Sequence, residues 1–262
     1  MGQEIDKHHF HHQDFQLFEQ RLREETETLQ RWYRDGHFSR HPSLGGFELE
    51  AWLVDQQGRP APIGPQFLAR LDRHLVTTEL ANFNVELNAS PQTLNGRALH
   101  RMEDELTRNW AVCQGVARDL DSSLVMIGIL PSVERKDFHF GNMAPLNRYH
   151  ALNEQTLRLR GGQPLHIDIQ GRDHLVMDHD SVMLESATTS FQLHLQVAAV
   201  EAVRIYNAAQ ILAAPMVAIA ANSPYLFGHD LWDETRISLF EQSVDARDLS
   251  GGYPDLPRVT FG

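Results

Sequence analysis

The sequence predicts an α+β domain built around a largely antiparallel sheet with helices packed on one face. Three observations carry this. Short segments alternate apolar and polar residues with the period of a half-buried strand, as in Phe47–Asp55, Asn84–Asn88 and Thr188–Val197. Between them lie longer segments with helical spacing, among them Ala98–Leu120 and Pro145–Leu159. The order of strands and helices lacks the regular alternation of a parallel sheet, and neither an internal repeat nor a linker divides the 262 residues.

The elements follow in chain order. Met1–His12 has no apolar run flanked by a cleavage site and reads as an unordered tail, despite the histidines at positions 8, 9, 11 and 12. Residues 13–262 read as a single catalytic-type domain. Phe15, Phe18, Leu22, Leu29 and Trp32 recur at helical spacing, so an amphipathic helix runs to Gly36 and docks its apolar stripe on the domain; self-association through the same stripe is the alternative. Phe47–Asp55 is a strand closed by the turn Gln56-Gln57-Gly58, and Leu124–Leu130 a buried strand. Asp168–Asp178 supplies a short strand or hairpin. Thr188–Val197 runs directly into a helix over Ala198–Ala221, which ends where Ser223 precedes Pro224. The apolar part of that helix, Ala208–Ala221, is shorter than the roughly 20 residues that span a bilayer and reads as a buried helix.

Composition narrows the function. The net charge of −12, without a basic stripe, argues against nucleic-acid binding. An acidic protein can still hold a nucleotide, because cations bound by its carboxylates neutralise phosphates. A single cysteine, Cys113, excludes an intrachain disulfide and reads as a core thiol, which together with the absent signal peptide points to the cytoplasm and away from the membrane.

Strand geometry places the polar residues. Glu48 and Glu50 share a face with Trp52, opposite Phe47, Leu49, Ala51 and Leu53. Asn84, Glu86 and Asn88 oppose Val85 and Leu87, while Gln192, His194 and Gln196 oppose Leu193, Leu195 and Val197. Each such face alone suits a solvated side of an antiparallel sheet. Together they form an oxygen and imidazole set suited to Mg²⁺ or Mn²⁺, without the thiolates of a structural zinc site.

Gly46-Phe47-Glu48-Leu49-Glu50 with Leu53-Val54-Asp55 resembles the opening motif of the carboxylate-amine ligases related to glutamate-cysteine ligase. Val85-Glu86-Leu87-Asn88 resembles the second acidic strand of that family and Asn147-Arg148-Tyr149 its helix start. Thr189–Leu195 resembles its later ligand strand, and Ala221-Asn222-Ser223-Pro224 with Gly228 and Arg236 its Asn-Ser-Pro loop. The resemblance covers roughly Gly45–Glu241 and rests on the ordered set, since Glu-x-Glu alone is common. It implies a glutamine-synthetase-like fold with a curved antiparallel sheet, ATP and Mg²⁺ (or Mn²⁺) as cofactors, and amide formation through an acyl phosphate. Glutamate and cysteine are the default substrates. It further implies metal ligation by Glu48, Glu50, Glu86 and His194, cofactor contacts from Gln192, Asn222 and Tyr149, and anion handling by Arg148 and Arg236, with His194 and Gln192 interchangeable between ligand and phosphate contact. A different amino-acid or peptide ligase, a guanidino kinase and a non-catalytic ligand-binding member are the alternatives. The family pattern continues past Gly262, so the resemblance implies a C-terminally incomplete member, with homo-oligomerisation as one way to cover an open sheet edge.

Overall fold

The computed structural model describes residues 3–38, 40, 42–71 and 76–246. The expected break in the family pattern at Gly262 lies outside them. In chain order the elements are α1 (His12–Asp35), β1 (Leu44–Val54), α2 (Gly64–Leu68), β2 (Val76–Thr78), β3 (Asn84–Asn88), β4 (Gln92–Thr93), α3 (Ala98–Arg118) and β5 (Ser123–Val125). After these come α4 (Asn147–Leu159), β6 (Leu165–Gln170), β7 (His174–His179), β8 (Phe191–Gln196), α5 (Ala202–Ala220), β9 (Tyr225–Leu226), β10 (His229–Asp230) and α6 (Thr235–Ser243), with 3-10 turns between several of them.

Every pairing of the main sheet is antiparallel, and β1 is its spine. On one side β1 pairs with β3 and β4; on the other it pairs with β8 along its first half and β5 along its last three residues. β2 extends the sheet beyond β3. β6 and β7 form the separate hairpin that the 168–178 segment suggested.

The alternation read in β1 holds. Phe47, Leu49, Ala51 and Leu53 join Val85 and Leu87 in one core, covered by Phe67 and Leu68 of α2 and by Met102, Cys113 and Ala117 of α3. On the opposite face the character changes along the strand: Glu48 and Glu50 give way to Trp52 and Val54, which enter a second core with Phe83, Ile129, Ile167, Ile169 and Leu239. Trp52 stacks on Phe83 with ring centroids 5.4 Å apart. The second core therefore closes off one end of the carboxylate-bearing face.

Several expectations need correction. The strand over Leu124–Leu130 stops at Val125. Beyond it, side chains replace ladder bonds: the Trp52 indole donates to the Ile127 carbonyl, and Asn222 Oδ1 accepts the Gly128 N–H at 3.0 Å. The long helix after β8 begins with a 3-10 turn and contains no buried residue, so it is not the buried helix its composition suggested. Apolarity reports what a surface prefers, and no described element covers this one. Together with its leading turn, Ala199–Ala220 has the length and hydropathy of a membrane span.

α1 likewise buries none of its residues, contrary to the docking expected of its stripe. Gly36 ends it at φ +70°, a conformation cheap only without a Cβ. The segment before it, read as an unordered tail, lies on α4. The Glu4 carboxylate accepts the Asn147 N–H at 2.7 Å, the Ile5 carbonyl accepts from the Asn147 amide, and His9 meets Glu154 at 2.8 Å. These contacts satisfy a donor that the first turn of α4 leaves free.

Candidate active site on the polar face of the sheet

Glu50 and Glu86 are direct cross-strand partners on β1 and β3. Antiparallel register puts such side chains within about 5.5 Å of each other at Cβ, so two carboxylates share one patch of the sheet. Glu50 is held from the other side by β8 and the residue before it: its carboxylate accepts from Ser190 N at 2.8 Å, Ser190 Oγ at 3.0 Å and Gln192 Nε2 at 3.2 Å. Burial raises the Glu50 pKa, these hydrogen bonds oppose the rise, and the Glu86 charge adds to it. Glu86 is buried and accepts from Thr77 Oγ1 at 3.1 Å and Asn88 Nδ2 at 2.7 Å.

Two further carboxylates, not singled out from sequence, complete the cluster. Glu79, in the turn after β2, is pushed up to about 9, first by burial and then by the charges of Glu50 and Glu86 and a hydrogen bond with Glu86. Glu185, in the 3-10 turn before β8, is pushed up to about 7 by burial and by Glu50. Glu50, Glu79 and Glu185 line one small cavity with Leu80, Asn84, Ser186, Thr188 and Thr189. The side-chain amide of Asn84 is buried there, and neither its nitrogen nor its oxygen has a partner. Nothing periodic marks Glu79 or Glu185 in the sequence, because both sit in turns between regular elements.

The remaining expected residues surround this cavity. Glu48 and His194 pair at 3.3 Å on the same face, with His194 half-exposed. Gln192 lies opposite Glu48 in the β1–β8 register and reaches Glu50. Tyr149 stands at the start of α4, its hydroxyl raised by burial and by the Glu79 charge, and accepts from Arg148 Nη2 at 2.8 Å. The Arg148 guanidinium lies 4.6 Å from the centroid of the Tyr149 ring. Arg148 and Tyr149 thus border the acidic cluster.

Asn222 and Arg236 form a separate knot beside it. Asn222 Oδ1 is committed to Gly128, where any Cβ would come within 2.6 Å of that oxygen. Arg236 Nε donates to Glu234, whose other oxygen accepts the Asn222 N–H at 3.1 Å. Thr189 connects knot and cavity: its N–H donates to the Gly128 carbonyl at 2.9 Å while the residue lines the cavity.

The donor set suits a hard divalent cation. It consists of carboxylate oxygens and an amide whose buried atoms lack partners, and a cation would offset both the burial that chiefly raises Glu50 and Glu79 and the repulsion between the carboxylates that adds to it. Among the described residues, no three His, Cys, Asp or Glu side chains already stand in a coordinating arrangement. The side chains are gathered, and Glu79, pushed up to about 9, keeps its proton at neutral pH.

A family described as glutamate-cysteine ligase family 2 matches residues 44–256, which includes every site residue named above and excludes the N-terminal segment and α1. No curated protein matches. Among solved structures, the chain is similar to a crystal structure of glutamate-cysteine ligase from Francisella tularensis in complex with AMP, at 13% identity and a TM-score of 0.38. The similarity covers 67% of this chain and 30% of that one, so the chain spans less than a third of that enzyme's length.

Proposed function

Because the chain belongs to glutamate-cysteine ligase family 2, we propose that it provides the cation- and nucleotide-binding face of an ATP-dependent ligase that joins an amine to a carboxylate. The observation that carries the reading is the convergence of Glu50, Glu79 and Glu185 on one cavity, with Glu86 opposite Glu50. Two carboxylates on the sheet face and two from the adjoining turns would be costly to bury together without a function that uses their charge.

The reading extends to Mg²⁺ or Mn²⁺ held by Glu50, Glu86, Glu79 and Glu185, with Glu48 and His194 at the rim. Such a cation would supply charge neutralisation at the phosphates of ATP. The protein's own part is positional. Ser190 and Gln192 fix the Glu50 carboxylate, and Thr77 and Asn88 fix that of Glu86. Arg148 and Arg236 add fixed positive charge where phosphate charge spreads during transfer. A substrate carboxylate oxygen attacks the γ-phosphorus and ADP leaves, giving an acyl phosphate; an amine nitrogen then attacks the acyl carbon, loses a proton and releases inorganic phosphate. This scheme requires no nucleophilic side chain, which agrees with a buried Cys113 whose thiol is pushed up to about 11. Glutamate and cysteine are the proposed substrates, and the cytoplasm the proposed location.

A coupled ADP-release assay over pairs of amino acids, with Mg-ATP, tests the function. ADP release that needs both an acid and an amine, and that is lost in Glu50→Gln, is the expected outcome. A folded chain that neither binds Mg-ATP nor releases ADP with any pair would refute it.

A further inference from the structure

α1 lies outside the family-matched residues and outside the site. Phe15, Phe18, Leu22, Glu25, Leu29 and Trp32 follow one another at steps of three, four, three, four and three, the heptad spacing of a two-helix seam. Four of the apolar members are at least half exposed, Phe18 65%, Leu22 51%, Leu29 53% and Trp32 53%, while Phe15 at the end of the stripe is partly covered by the Phe10 ring and the Arg158 guanidinium of α4. A helix of this length extends about 36 Å, and a stripe along it needs an equally long partner.

The charges select that partner. His12–Asp35 carries six acidic and four basic residues, so the helix is net negative and unsuited to an anionic lipid surface. In a parallel pair of two copies, Glu25 would face Glu25 within the seam, and Asp14 would flank Glu19. In an antiparallel pair, Phe15 faces Trp32, Phe18 faces Leu29 and Leu22 faces Glu25, and Arg21 of each helix comes beside Glu25 of the other. Some of the other charges on the helix are committed within it: Arg23 pairs with Glu19, and Gln20 donates to Glu24 at 2.8 Å. Arg21 and Glu25 have no hydrogen bond or ion pair among the described residues.

We propose that α1 is a homodimerisation element that pairs antiparallel with α1 of a second copy, held by the Phe15-to-Trp32 seam and by two symmetric Arg21–Glu25 contacts. The interface is isologous, so both contacts form or neither does.

Sedimentation equilibrium over a dilution series of the whole chain should give a reversible monomer–dimer equilibrium. Leu22→Glu or Leu29→Glu should raise the dissociation constant about tenfold or more, as removal of a central apolar anchor does. Because these side chains are exposed in the single chain, the variants retain its fold, which circular dichroism and thermal unfolding check. Arg21→Glu should weaken the dimer, and Arg21→Glu combined with Glu25→Arg should restore it. Orientation is read by oxidative cross-linking: a mixture of Leu22→Cys and Glu25→Cys chains should give the mixed dimer, with little product from Leu22→Cys alone. A monomer at every concentration, a dimer indifferent to the seam variants, or efficient linkage of Leu22→Cys to itself would each overturn the proposal.

Discussion

Glu79 offers a test that separates cation binding from general acidity. A pKa pushed up to about 9 means the folded chain keeps a proton that the unfolded chain releases near the ordinary carboxylate value. Stability from this group is fully present below that ordinary value and is lost as pH rises toward 9. The slope is about 1.4 kcal/mol per pH unit, so roughly 4 kcal/mol disappears between pH 6 and 9. Glu185 steepens the lower part of the window, up to about pH 7. Urea unfolding in chelator should therefore show the protein losing stability from pH 6 to 9, and Glu79→Gln should flatten the profile by the slope of one proton. Mg²⁺ should reverse the trend, since it binds the deprotonated set and gains up to about tenfold in affinity per pH unit for each proton it displaces. An unchanged slope in Glu79→Gln, or equal stabilisation by Mg²⁺ at pH 6 and pH 9, would refute a cation site built on this carboxylate.

Arg236→Ala should lower turnover by about two to three orders of magnitude, the usual loss for one preorganised charge-stabilising group, and unchanged turnover in a folded variant would remove Arg236 from the reaction. Trp52→Ala should cost about 3–5 kcal/mol in urea unfolding, because a fully buried indole stacked on Phe83 leaves a cavity in the second core. A loss below 1 kcal/mol would show that this core end collapses freely. Cys113 should resist thiol reagents in the native chain, and Cys113→Ala should leave the ADP release of the proposed reaction at the parent level; rapid native labelling would contradict its burial.

The legible part of the structure was the part constrained on two faces. Phe47, Leu49, Ala51 and Leu53 must enter a core, so the opposite orientation of Glu48 and Glu50 followed from strand period alone. The same rule aligned Glu86 with them, although only the register makes Glu86 the partner of Glu50. Apolar content misled where no partner was specified: β8 exposes Leu193 and Leu195, and α5 exposes Ile211 and Leu212. Ile127 and Ile129 continued a strand-like pattern, but the chain leaves the sheet after Val125 to bond Trp52 and Asn222, a tertiary choice that local propensity does not encode. Glu79 and Glu185 were invisible because turn residues carry no period.

β1 meets β3, β4, β5 and β8 at once, which limits how this site can diversify. An insertion or deletion of one residue within it would send Glu48 and Glu50 into the core beneath α3 and bring Phe47 and Leu49 out among the carboxylates. Four ladders would have to shift together to compensate. If the proposed function holds, new substrate preferences are expected to arise by changes at the start of α4, in the 127–128 corner and along exposed β8, where a residue can be exchanged without moving the spine. The acidic floor stays fixed because the strand that carries it has no register to spare.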